Sequence, residues 1–229
     1  MEKSNTAKVS AGINLPILKE VPKSTLKTIE DVSAEYFKLM SYYKCAIMEI
    51  ETKFNVLNTE FSLRHDRNPI SSIKTRLKEL PSIKNKLEKK NCPLTVKSIE
   101  DNLNDVAGVR VICSFVDDVY LLTNALLKQD DITLISKKDY IKHPKSNGYR
   151  SLHLIVKVPI FLANEKHFMR VEIQLRTIAM DFWATLEHQL KYKKDFSFSN
   201  DMLTELYDCA VLSAQLDERM SNLNKKVFK

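Results

Sequence analysis

The chain has 229 residues, 44% of them hydrophobic, a formal charge of +7 and only three glycines, Gly12, Gly108 and Gly148, where average usage gives about 16. This length suits one globular domain with at most a helical annex. So few glycines exclude both a G-x-G-x-x-G turn and a G-x-x-x-x-G-K-[ST] loop, so any bound phosphate must be held by side chains. The charge is uneven: residues 1–63 carry eight lysines and eight acidic residues, residues 98–229 carry 18 basic and 18 acidic, and residues 64–97 carry ten basic and three acidic. That basic segment is either a solvated lysine-rich face or the seat of an anion such as a polyphosphate or nucleic acid.

There is no apolar run of membrane-spanning length, and Met1 to Glu20 hold no apolar segment of signal-peptide length. Cys45, Cys92, Cys113 and Cys209 are widely spaced without a C-x-x-C pair, which argues against a zinc site or a disulfide framework and predicts a reducing cytosol.

In chain order, residues 1–27 read as a poorly ordered N-terminal segment. From Thr28 to Phe61, Val32, Tyr36, Met40, Tyr43, Ile47, Ile50, Phe54, Leu57 and Phe61 step by three and four, which predicts a long helix with its apolar stripe against other helices or another subunit. A strand over Ser72–Leu77 follows, then a helix to Lys90 opened by Pro81 with Ser82 as N-cap, and a small helix at Val96–Asn102. Val106–Phe115 is the β-branched run of a central strand. Asp117–Lys128 reads as helix, Ile132–Ser136 as strand and Tyr140–Tyr149 as a polar loop.

Ser151–Val158 and Phe168–Leu175 alternate: Leu152, Leu154, Val156 and Val158 oppose Ser151, His153 and Lys157, while Val171, Ile173 and Leu175 oppose Glu172, Gln174 and Arg176. Helices fill Ile178–Tyr192 and Asp201–Val227. The expected fold is α/β, a mixed sheet flanked by helices, with a main domain over 28–195 and a helical C-terminal tail over 196–229.

Several residues could do chemistry. On a strand Arg76 and Lys78 share a face, and on the next helix Ser82, Lys86 and Lys89 fall on one side with Ile83 and Leu87 on the other, so two cationic surfaces meet at a helix N-terminus. Arg110 interrupts an apolar strand, where a guanidinium needs an anionic or stacking partner; a structural carboxylate would serve equally well. Asp105 and Glu172, if brought together, form an acidic pair able to bind Mg²⁺ or to divide metal-binding and general-base roles. In the loop from Lys142 to His153, Gly148 permits an unusual turn, and Asn147, Tyr149 and His153 suit a planar base through edge hydrogen bonds and stacking.

Four ordered stretches carry a resemblance: Asp105-Val106-Ala107-Gly108-Val109-Arg110; Pro144-Lys145-x-Asn147-Gly148-Tyr149-Arg150-Ser151-Leu152-His153; Val171-Glu172-Ile173-Gln174-Leu175-Arg176-Thr177; and Phe182-Trp183-Ala184-x-Leu186-Glu187-His188. Over about residues 28–195 the chain resembles the synthetase domain of RelA/SpoT-type alarmone synthetases. Its short length and the stretch from Tyr43 to Glu60 look most like the stand-alone small members, of the RelP-type branch. The pair His65-Asp66 has no accompanying ligand cluster in the sequence and is not read as a hydrolase centre.

The resemblance implies a nucleotidyltransferase-like synthetase domain of the bacterial cytoplasm that moves the pyrophosphate of ATP to the 3′-hydroxyl of GDP or GTP, releasing AMP and forming ppGpp or pppGpp. It assigns Arg76, Lys78, Ser82, Lys86, Lys89 and Arg110 to ATP, and Lys138, Lys145, Asn147, Tyr149, His153 and Gln174 to the guanosine nucleotide, with Tyr149 stacked on guanine. It makes Asp105 the Mg²⁺ ligand and Glu172 the residue that activates the 3′-hydroxyl and assists the metal. It also implies a homotetramer built through the terminal helices, with no membrane partner. Lys89 and Lys138 stand where relatives often carry Arg, and Gln189 replaces a cation common after Glu187-His188. Two other readings stay open on the residues alone: a nucleotidyltransferase acting on RNA ends, and a non-catalytic RNA-binding module using residues 64–97.

Overall fold

The computed structural model describes residues 23–65, 67–191 and 197–227. Of the segment expected to be poorly ordered, residues 1–22 lie outside this description, as do Asp66 and Tyr192, while residues 23–27 are helical. The first helix therefore begins before Thr28. It is α1, Lys23–His65, 43 residues without Gly or Pro, so nothing in it breaks the hydrogen-bond ladder. There follow β1 (Ile70–Leu77), α2 (Leu80–Lys89), α3 (Val96–Asn102), β2 (Ala107–Cys113), α4 (Val116–Leu127), β3 (Thr133–Asp139), β4 (Leu152–Phe161), β5 (Lys166–Thr177), α5 (Ile178–Lys191) and α6 (Asn200–Val227).

The five strands form one mixed sheet in the order β1-β2-β5-β4-β3; β2 and β5 run parallel and the other neighbours antiparallel. Met40, Tyr43, Ile47, Ile50, Phe54, Leu57 and Phe61 of the α1 stripe are buried, with Tyr36 packed at the margin and Val32 exposed. Their partner is the sheet: α1 lies against β1, β2, β4 and β5, with α4 beside it. The expected helix partner is present in α3 and α4, but the main cover is the sheet, through Val109, Val111, Val171, Ile173, Leu154 and Val156, all buried. Full burial of a side chain such as Phe54 contributes on the order of 2–3 kcal/mol.

The period-two strands have a second consequence. With the apolar positions committed to α1 and α4, the alternate positions face the other way, and that polar face carries the site. Two smaller helices border it. In α2, Glu79 is the N-cap without a side-chain bond and Pro81 occupies the first turn, so Ser82 is not a cap; Ile83 and Leu87 are buried and Lys86 and Lys89 lie toward the helix end. Thr95 caps α3 by accepting from the Ser98 N–H.

α6 is packed onto α5. Trp183 donates its indole N–H to the Leu206 carbonyl at 2.8 Å, Thr177 donates its hydroxyl to buried Asp217 at 2.6 Å, and Ser213 donates to the Ala179 carbonyl. Among the described residues no helix is long and apolar enough to cross a membrane.

Candidate active site

Strand register lines up one polar side chain per strand: Lys74 (β1), Arg110 (β2), Gln174 (β5), His153 (β4) and Lys138 (β3). One pleat along the sheet the same register aligns Arg76, Gly108 and Glu172. Lys74, Arg76, Arg110, Glu172 and Gln174 line a cavity of about 270 Å³, floored by Gly108. The absence of a side chain at Gly108 keeps that floor low between Arg76 and Glu172.

Asp105, just before β2, holds the second cluster. Its Oδ2 accepts from Lys78 Nζ and from Lys86 Nζ, each at 2.6 Å. Burial opposes its ionisation, but these two hydrogen bonds and charges outweigh it and hold the carboxyl below its usual range. Its other oxygen, Oδ1, is buried without a hydrogen-bond partner, an unsatisfied acceptor of the kind that a ligand relieves. Among the described residues no group of three or more His, Cys, Asp or Glu converges on a metal-sized site.

The third cluster is a chain of side chains. Gln174 Nε2 donates to Glu172 Oε2 at 3.0 Å, and Arg176 Nη2 donates both to Gln174 Oε1 at 3.0 Å and to the Tyr149 hydroxyl at 2.6 Å. That hydroxyl lies 2.8 Å from His153 Nε2, and His153 Nδ1 lies 3.8 Å from Glu172 Oε1. Burial, then the charges of Arg176 and Lys145, lower His153 to about 4, so it is neutral at physiological pH. The assignment that satisfies all members has Tyr149 accept from Arg176 and donate to Nε2, leaving the proton on Nδ1 toward Glu172.

The loop that presents Tyr149 is held at both ends. Asn147 accepts from the Tyr149 N–H and donates to Glu187 at 3.2 Å, and Lys145 lies 4.9 Å over the Tyr149 ring. Gly148 has φ +85° and sits so close to α6 that a Cβ would fall 2.5 Å from the Ala210 Cβ. Both facts require glycine. The C-terminal helix, expected only as an assembly element, therefore also supports the loop that presents Tyr149.

Of the residues expected around ATP, Arg76, Lys78, Lys86 and Arg110 converge on the cavity or on Asp105. Ser82 and Lys89 are exposed along α2, and Lys138 is exposed on the edge strand β3. Arg110 also finds the structural carboxylate held open as an alternative: its Nη1 donates to Asp181 Oδ1 at 3.2 Å. Arg176, Lys74 and Asp181 were not singled out by sequence reasoning. For Arg176 and Lys74 a signal existed, since each continues the polar alternation of its strand; for Asp181 none did.

A family model described as the region found in RelA / SpoT proteins matches residues 75–197. The GTP pyrophosphokinase YwaC of Bacillus subtilis (strain 168) is 42% identical over 199 residues, 87% of this chain and 95% of that protein. The GTP pyrophosphokinase YjbM of the same organism is 37% identical over 186 residues, 81% of this chain and 86% of that protein. Among solved structures, the small alarmone synthetase 1 from Bacillus subtilis bound to its product pppGpp matches with a TM-score of 0.76 at 34% identity, covering 85% of this chain and 98% of that one. Small alarmone synthetase 2 from the same species matches with a TM-score of 0.76 at 40% identity, covering 84% and 99%. The ordered motifs, the mixed sheet and these likenesses agree: the chain belongs to the RelA/SpoT family, among its small alarmone synthetases.

Proposed function

We propose that this chain is a GTP pyrophosphokinase of the RelP-type branch, which transfers pyrophosphate from ATP to the 3′-hydroxyl of GDP or GTP, releases AMP and makes the alarmones ppGpp and pppGpp of the stringent response. The observation that carries this reading is the shared polar sheet face: Arg76 and Arg110 stand across one cavity from Glu172, and Glu172 is tied through Gln174 and Arg176 to Tyr149. One nucleotide thus has a cationic seat, the other an aromatic one, and a carboxylate lies between.

Attack of a hydroxyl on the β-phosphorus requires two polyanions to be held together. Arg76, Lys78, Lys86 and Arg110 offset their repulsion, and Tyr149 orients the guanine by stacking. Glu172 takes the proton of the 3′-hydroxyl; Gln174 donates to its Oε2, leaving Oε1 for that proton. Neutral His153 adds a donor beside the guanosine nucleotide without adding charge.

Asp105 and Glu172 would hold Mg²⁺: the orphaned Asp105 Oδ1 fits a hard cation, and two carboxylates with substrate phosphates are the donor set that ion prefers. Bound there, Mg²⁺ supplies neutralisation of the polyphosphate charge.

Assembly into a homotetramer is supported by the terminal helices in a form different from that expected. The α1 stripe is buried on the sheet, but Ile178, Phe182, Leu186 and Leu190 of α5 and Leu212, Leu216 and Leu223 of α6 are exposed, an apolar surface of the kind that a second copy covers. Light scattering at micromolar concentration is expected to give a tetramer mass, and a monomer mass would remove this part of the reading.

Purified protein incubated with labelled ATP, Mg²⁺ and GDP tests the activity. Labelled ppGpp and stoichiometric AMP are expected. A protein that yields neither product and binds RNA with affinity falling steeply in salt would overturn the reading in favour of a binding module.

A further inference from the structure

Three cations and one carboxylate meet at the end of the polar sheet face. Asp181, in the first turn of α5, is 7% exposed. Its Oδ1 accepts from Arg110 Nη1 at 3.2 Å and from Arg176 Nη1 at 3.3 Å, and its Oδ2 accepts from Lys74 Nζ at 2.9 Å. These donors come from β2, β5 and β1, so one helix residue ties three strands together. A carboxylate at a helix N-terminus is favoured by the helix dipole. Burial raises Asp181, but the Lys74 hydrogen bond and the charges of Arg110 and Arg176 outweigh it and hold the group ionised.

The accessibilities of the four side chains differ in a way that bears on function. Arg176 is nearly closed from solvent, its side chain 5% exposed, whereas Arg110 is 33% exposed and Lys74 57%. The Asp181 side chain, at 10%, is less exposed than Arg110 and Lys74, so an incoming phosphate first meets the outer edges of those two. Arg176 uses Nη1 on Asp181 and Nη2 on Tyr149 and Gln174. Arg110 and Arg176 would otherwise repel across adjacent strands, and Asp181 Oδ1 accepts from both; the Nε of each is buried without a partner.

We propose that Asp181 is a positioning residue for pyrophosphate transfer: through Arg110 it sets the cationic seat of ATP, and through Arg176 it sets the Tyr149 ring and the Gln174–Glu172 pair. It touches neither nucleotide. Its role is to fix the distance between the two substrates, a quantity on which turnover depends steeply and affinity weakly, since a misplacement near 1 Å costs about 10² in rate. The proposal rests on the assignment of Arg110 to ATP and of Tyr149 to guanosine made above.

Asp181→Asn keeps the shape and removes the charge. Its kcat for ppGpp formation is expected to fall about 10²-fold. The Kd of a non-hydrolysable ATP analogue, by titration calorimetry, is expected to stay within about threefold of wild type or to tighten, because a negative charge near the polyphosphate is gone. A merely structural role would not give that split. A kcat within about twofold of wild type, or parallel loss of kcat and of both affinities, overturns the proposal. Should Asp181→Asn fail to give a cooperative melt, Asp181→Glu carries the test, since it keeps the charge and displaces it by one methylene: reduced kcat with retained affinity supports the proposal and wild-type kcat overturns it. Arg110→Ala, measured beside it, separates the two levels: unchanged ATP-analogue affinity there would defeat the ATP assignment itself, whatever Asp181→Asn does.

Discussion

On the β1–α2 side of the sheet the cations are linked only through carboxylates: Arg76 and Lys89 are exposed, Lys78 and Lys86 meet at one oxygen of Asp105, and Lys74 reaches Asp181. On the β4–β5 side Glu172, Gln174, Arg176, Tyr149 and His153 are bonded in sequence, and the histidine is held neutral. On the proposed assignment, the difference follows the chemistry each side would meet. A polyphosphate is a diffuse anion that several adjustable lysines can share, so the first side is redundant. A purine ring has fixed edges and faces, so the second side is built from short, mutually oriented contacts and tolerates little change.

The sharpest test falls where the two sides meet. Glu172→Gln preserves shape and the bond to Gln174 while removing the base, and turnover is expected to drop by roughly 10²–10⁴, measured as AMP release, with an unchanged melting temperature. Near-wild-type turnover would remove Glu172 from proton transfer. The next contrast breaks the comparison into its halves. Tyr149→Ala is expected to weaken GDP binding by about 1–3 kcal/mol, the worth of one base on an aromatic ring, and to leave ATP-analogue binding alone. Lys89→Ala, on the redundant side, is expected to cost under about 1 kcal/mol in ATP-analogue binding. Equal losses in the two variants would erase the distinction between them.

Gly148→Ala probes the brittleness of the guanosine side from beneath. The positive φ and the contact with Ala210 make the added methyl cost about 1–3 kcal/mol. The expected readout is a raised KM for GDP with an unaltered KM for ATP. An unchanged KM for GDP would show that α6 does not fix the loop.

How far the sequence reveals this plan depends on the range of each interaction. The alternation in β4 and β5 announces their polar face because strand geometry is local: Glu172, Gln174 and Arg176 must share a side once Val171, Ile173 and Leu175 are buried. The spacing along α1 announces a buried stripe, but periodicity says only that a face is covered, and here the main cover is the sheet. Ser82 misleads because Pro81 also suits the first turn of a helix, which shifts the cap back to Glu79. The pairing of Asp181 with Lys74, 107 residues away, and the seat of Gly148 on Ala210 have no local signature at all, since they arise when α5 and α6 fold back over the sheet end.

The smallest expected effect concerns the bond that anchors α6 behind the guanosine loop. Burial raises the Asp217 carboxyl above its ordinary value of 3.8, and the Thr177 hydrogen bond and the Arg150 charge only partly offset this. In the interval between the ordinary value and the raised one, the folded protein keeps a proton that the unfolded chain has lost. Stability contributed by this group is therefore complete below the ordinary carboxylate range, declines as pH rises through the raised value, and is level above it. Asp217→Asn has no proton to lose, and its side-chain carbonyl can still accept from Thr177. Its melting temperature is expected to match the wild type in acid and to equal or exceed it at neutral pH, with the gap opening across that interval. A neutral-pH melting temperature below wild type would mean that the ionised carboxylate, beside Arg150, stabilises α6, and that the guanosine side rests on a charge after all, as the ATP side does.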